Sequence, residues 1–114
     1  MGICHTVIAE DKQVKGQTTK IYNASSPDEL ALVNAMRHFG FKFIDRDIND
    51  NLVIHLTRND EIIQYKLLHI IEFNSDRKRM SVIVRTKENR VMIVCKGADS
   101  IINARLRKDQ PHIE

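Results

Sequence analysis

Tryptophan is absent from this chain, and four Phe and two Tyr are the only aromatics in 114 residues. Cysteine is almost as scarce. Cys4 and Cys95 lie in unlike contexts, which argues against a disulfide framework and suits a reducing compartment. With the five histidines they show no zinc-ligand spacing. The longest apolar runs, "SVIV" and "VMIV", are strand-sized, far short of a membrane-crossing helix. No secretory signal, G-x-S-x-G elbow, Walker loop or dinucleotide fingerprint is legible. The charge of +3 is too small an excess to single out DNA or RNA, and with so few aromatics it speaks against a nucleic-acid partner. Two short motifs carry little weight. Gly2 followed by Thr6 fits N-myristoylation, but a Met-Gly start is equally that of a cloned fragment. Asn23-Ala24-Ser25 is a glycosylation sequon without other signs of secretion.

What remains is ordinary globular composition, 42% hydrophobic and 29% charged, at a length that allows one core and hence a single domain over residues 1–114. Residues 9–20 are polar, contain Gly16 and show no period, so they read as a flexible loop. "SSPDELALVNAMRHFGF" predicts a helix over Pro27–Phe39. Ser26 is its N-cap, Pro27 its first residue, Glu29 the partner of Ser26 in a capping box, and Gly40 the left-handed terminator. Leu32, Ala35, Met36 and Phe39 recur at helical spacing as its expected buried stripe, and Phe39 and Phe41 read as structural. Strand patterns follow: "FKFI", "NLVIHLT", "IIQYKLLHIIEF", then "MSVIVRT" and "RVMIVCKG" as a hairpin about Lys87-Glu88-Asn89. A last helix is expected from about Asp99 to Arg107, and "KDQPHIE" beyond it has no visible partner. Short connections mean antiparallel pairing, so the fold class is α+β, an antiparallel sheet flanked by helices.

Three places join chemistry to an odd location. Glu29 has a bland account in the capping box, but a carboxylate at a helix start can also accept from a ligand amine. Phe73 ends a strand and reads first as core, yet it precedes Arg77-Lys78-Arg79, where a flat ring and cations together have the composition of a nucleotide pocket. The cationic triplet alone reads as a solvated turn. Met80 is suited to packing against a purine edge. Lys96 ends a hydrophobic strand and by default snorkels at the surface. Gly97 beside it permits an approach that a Cβ would block, and a helix start follows, as at an anion site. Cys95, on the same strand, reads as an inert buried thiol.

Taken together, "ASSPDELALV", "EFNSDRKRMSVIV" and "CKGADSII" resemble the nucleotide-binding domain of P-type ATPases, and within them the phospholipid-transporting branch, the flippases. "CHTV" near the start matches the segment that enters this domain. The resemblance covers nearly the whole chain and implies a cytosolic domain of an integral membrane pump. It implies ATP as ligand, with Phe73 stacked on adenine, Glu29 near the adenine amino group, Lys78 and Lys96 meeting the nucleotide's charge, and Met80 and Gly97 shaping the walls. Cation-transporting relatives often carry arginine two residues after the Phe; Ser75 stands there in this chain, as in the flippase branch.

No D-K-T-G-T loop is present, so the phosphorylated aspartate is expected elsewhere. By the same resemblance, Mg2+ comes with the nucleotide rather than binding to this chain. The partners implied are the phosphorylation domain and transmembrane region of a parent pump whose substrate is a phospholipid. A further nucleotide-contacting arginine is expected beyond Glu114, which would make the chain a C-terminally truncated piece that binds ATP without hydrolysing it. The competing expectation is a non-enzymatic interaction domain with an anion-binding basic turn.

Overall fold

Alternation of period two dominates the sequence from residue 41 onward, and in the computed structural model it forms a five-stranded antiparallel sheet. The structure describes residues 3–24 and 26–110. Gly2, Ser25 of the sequon, and the tail from residue 111 lie outside them. The sheet runs in chain order as a meander: β3 (Phe41–Arg46), β4 (Asn51–Leu56), β5 (Glu61–Ile71), β6 (Arg79–Arg85) and β7 (Val91–Gly97). Before it come the hairpin β1 (Ile8–Val14) and β2 (Gln17–Asn23) and the helix α1 (Pro27–His38); one further turn of helix, α2 (Asp99–Asn103), follows it.

Register decides which side chains share the core. Leu52 lies opposite Tyr65, Ile54 opposite Ile63, Leu67 opposite Val84, and Val82 between Ile70 and Val94. That face buries Phe43, Leu52, Ile54, Met80, Val82 and Val84. Each such residue contributes roughly 1.5–3 kcal/mol by leaving water. An irregularity between Leu67 and His69 keeps β5 in phase over its eleven residues and leaves Leu68 exposed. The opposite face is open on β7, where Val91 and Ile93 remain 58% and 69% exposed. Cys95 shares their alternation and is exposed, so the expectation of a buried thiol there fails; the buried thiol is Cys4.

Residues 9–20, expected to lack regular structure, form most of the β1–β2 hairpin. The signal is Lys15-Gly16, both at positive φ (53° and 78°), which makes a two-residue turn whose twist suits a hairpin. The sequence from residue 9 to 20 is mostly polar, so alternation could not announce the strands. The hairpin docks at its base through Val7 and Tyr22, and the Tyr22 hydroxyl donates to the Phe43 carbonyl at 2.5 Å.

Helix α1 starts and stops as its sequence indicates, with Gly40 at φ +95° ending it. Leu32, Ala35 and Met36 of the expected stripe are half-buried, but the fully buried residue is not one of them. Val33 is 1% exposed and Leu30 packs beside it, while Phe39 is the C-cap residue and 72% exposed. Two helical stripes were available, and Arg37, stacked 5.9 Å over the Tyr22 ring, lies with the Leu30–Val33 side. Phe41 is likewise 44% exposed, so neither Phe39 nor Phe41 is a core residue; Phe43 and Tyr22 are. The last helix is also shorter than expected, ending at Asn103 with no buried residue.

Candidate functional site

An open cleft of about 790 Å³ lies where α1, the end of β5 and the start of β6 meet the end of β7. Four of its walls follow from local rules. Pro27 starts α1 and sets Asp28, Glu29 and Leu32 along the cleft. Strand β5 stops at Ile71, and Glu72 and Phe73 leave the sheet into the opening. Met80, 5% exposed, is the floor, directly opposite Lys96 in the register. Lys96, Gly97, Ala98 and Asp99 close the far side.

Phe73 is 62% exposed, far from a core aromatic. What presents it is a tied loop. Asn74 accepts the Arg77 amide through Oδ1 (2.7 Å) and the Lys78 amide through its carbonyl (2.8 Å). The Arg77 guanidinium donates to the Glu72 carbonyl (3.2 Å) and to Ser81 Oγ (3.3 Å), and Arg79 Nη1 donates to the Arg77 carbonyl (2.9 Å). Two of the three cations thus hold the turn that carries the aromatic.

Glu29 does not make the expected capping box, and Ser26 makes no side-chain cap bond. Instead Glu29 Oε1 accepts from both donors of Thr6, the backbone amide and the hydroxyl (the latter at 3.1 Å). Thr6 itself lines the cleft. Its neighbours are fixed: Cys4, His5 and Val7 are buried, His5 packs edge-on to Phe43 at 4.4 Å, and the Cys4 thiol points to the carbonyls of Met80 (3.6 Å) and Val94 (3.5 Å). Burial pushes the Cys4 thiol up, against the opposing charge of Lys96. That keeps it protonated and unreactive near neutral pH.

Gly97 is required for space. A Cβ there would lie 2.7 Å from both Arg79 Cβ and the Lys78 carbonyl oxygen. The close approach is by the start of β6, where the Ala98 amide also donates to the Lys78 carbonyl at 3.3 Å. Lys78 reaches this contact by a left-handed backbone (φ 52°), and its exposed side chain is not part of the cleft wall.

Of the six residues singled out by sequence, the structure therefore brings Glu29, Phe73, Met80, Lys96 and Gly97 to one cleft and leaves Lys78 outside it. Thr6, Leu32, Glu72 and Asp99 also line it and were missed; "CHTV" was the available pointer to Thr6. The electrostatics are also unexpected. Among the lining residues Lys96 is the lone cation, against Asp28, Glu29, Glu72 and Asp99. Such a cleft favours a neutral planar group with amine donors over a bare polyanion.

The whole length from residue 1 to 108 matches the family model described as "P-type ATPase, cytoplasmic domain N". This chain belongs to the P-type ATPase N-domain family. It is 52% identical over 102 residues to phospholipid-transporting ATPase FetA of Mus musculus, an alignment covering 90% of this chain and 8% of that protein. It is 46% identical over 111 residues to phospholipid-transporting ATPase IC of Homo sapiens, covering 97% of this chain and 8% of the relative. With probable phospholipid-transporting ATPase 5 of Arabidopsis thaliana the figures are 44% over 112 residues, 96% and 9%. The chain thus spans less than a tenth of the length of these relatives. N-domain membership implies nucleotide binding. No helix among the described residues is long and apolar enough to cross a membrane.

Proposed function

We propose that the cleft holds ATP by its adenosine end, as the cytosolic nucleotide-binding module of a P-type ATPase that translocates phospholipid. The observation that carries this reading is the Phe73 ring, 62% exposed in a cleft that Glu29, Met80, Lys96 and Gly97 also line. Adenine stacks on Phe73, with Met80 beneath. Glu29 accepts from the exocyclic amine. With one lysine among four acids, the cleft has little to hold a triphosphate inside, so the phosphates leave past Lys96 and Gly97. Lys78 joins Gly97 at the backbone, and its exposed ammonium is available to the outgoing phosphates there.

In this reading the chain supplies position, and no acid, base or nucleophile is assigned to it. The γ-phosphate would project to an aspartate on a phosphorylation domain outside the chain, with Mg2+ accompanying the phosphates. The phospholipid would be handled by the transmembrane region of the parent pump. One stacking contact and few charges give a Kd on the order of tens of micromolar to millimolar. The rival reading, a generic anion patch on the basic turn, leaves the exposed Phe73 ring in the cleft without a role.

Amide shifts followed during ATP titration test the proposal. Shifts clustered at Glu29, Phe73, Met80 and Lys96–Gly97, with a Kd weakened roughly 5- to 150-fold in Phe73→Ala, are expected from a stacking contact of about 1–3 kcal/mol. Equal responses to ATP and tripolyphosphate, confined to Arg77–Arg79, would support the anion patch instead.

A further inference from the structure

We propose that Thr6 is a positioning residue that aims the Glu29 carboxylate at the 6-amino group of adenine and so sets the base preference of the site. The proposal rests on the adenine reading above and adds a residue to it. Both Thr6 donors converge on one oxygen, Oε1 of Glu29. The other oxygen, Oε2, has no hydrogen-bond partner among the described residues, and Glu29 is half-buried in the cleft wall. A carboxylate gripped by one oxygen presents the second in a defined direction. Without the grip, a glutamate on the first turn of a helix keeps its rotamer freedom and loses it only when ligand binds, which weakens binding.

Thr6 is suited to the task because its own place is fixed. Buried Cys4 and His5 precede it, buried Val7 follows, and Cys4 ties the segment to the carbonyls of Met80 and Val94. Met80 is the floor on which the base would lie. The Thr6 segment thus spans the cleft, linking the acceptor on α1 to the sheet beneath the ring. A hydroxyl that merely filled space would affect every nucleotide alike, whereas a hydroxyl that aims Glu29 affects only those carrying the amine.

The test is binding of ATP and of purine riboside triphosphate, which lacks the 6-amino group, to the 114-residue chain and its variants. The wild type is expected to prefer ATP about tenfold, the worth of one hydrogen bond to a charged acceptor. In Thr6→Val, which keeps the amide donor and loses the hydroxyl, the preference should fall to about threefold or less, through a loss of ATP affinity that exceeds any change for the amine-free nucleotide; Thr6→Ser should restore it. Thr6→Ala replaces the valine variant if the latter's amide spectrum shows it unfolded. A full preference retained without the hydroxyl, or equal weakening of both nucleotides, overturns the role of Thr6. If the wild type shows no preference while Phe73→Ala weakens both ligands, stacking stands and this proposal falls alone. If Phe73→Ala changes neither, the adenine reading falls and takes this one with it.

Discussion

Replacing Gly97 with alanine isolates one steric contact on which the cleft depends. The backbone of Gly97 is not left-handed, so alanine brings no conformational strain of its own, and the whole effect is the added methyl. That methyl would sit 2.7 Å from two atoms, Arg79 Cβ and the Lys78 carbonyl oxygen, where ordinary contact begins at 3.4 Å. Neither atom is the end of a flexible side chain. The ends of β6 and β7 must therefore part by about 0.7 Å, stretching the Ala98–Lys78 hydrogen bond. Overpacking of this kind costs about 1–3 kcal/mol. At about 4 °C per kcal/mol for a chain this size, calorimetry should show Tm lowered by about 4–12 °C. Lys96, Ala98 and Asp99 move with the strand end, so ATP affinity should fall as well. A variant with wild-type Tm and wild-type Kd would show that the strands do not approach as described. Gly16→Ala is the useful contrast: nothing lies within 4 Å of that Cβ, and its cost, about 1 kcal/mol, would come from the positive φ alone.

Arg77 and Lys78 should separate in a binding experiment with ATP and adenosine. Arg77→Ala frees the loop that presents Phe73 and should weaken both ligands, whereas Lys78→Ala should weaken ATP by up to about fivefold, as an exposed charge does, and leave adenosine unchanged. Identical responses of the two variants would refute the assignment of Arg77 to the loop. Thiol titration at neutral pH should find one reactive group, Cys95, in the folded chain and two after denaturation. Because burial raises the Cys4 thiol, the folded state holds that proton more tightly than the unfolded one. Its contribution to stability is complete below the ordinary value of 9.0 and is lost as pH rises from there through the raised value. Urea midpoints measured across that range should decline less steeply in Cys4→Ala; an unaltered slope would refute this.

Much of the scaffold was legible because local rules and burial agree. Pro27 and Gly40 bound α1 in sequence as in the fold, β4 announces itself by alternation, and β6 and β7 by short apolar runs. Residues failed where a local pattern had two solutions. Leu32 is half-buried like Leu30, but Val33 is the buried residue of α1 and Phe39 is exposed, and only the position of β3 and Tyr22 decides that. Cys95 and Ile93 look like core by composition, but they face the side of the sheet left open. In the site, residue types were readable and their partners were not. Glu29 finds Thr6 twenty-three positions away instead of Ser26 three away, and the arginines beside Phe73 bond to their own loop. Periodicity carries no information about contacts of that kind.

The central claim is that adenine lies against Phe73, and intermolecular NOEs in the ATP-saturated chain test it most directly. The account predicts NOEs from adenine H2 and H8 to the Phe73 ring and the Met80 methyl. Saturable binding in which adenine protons show no NOE to Phe73 would contradict it.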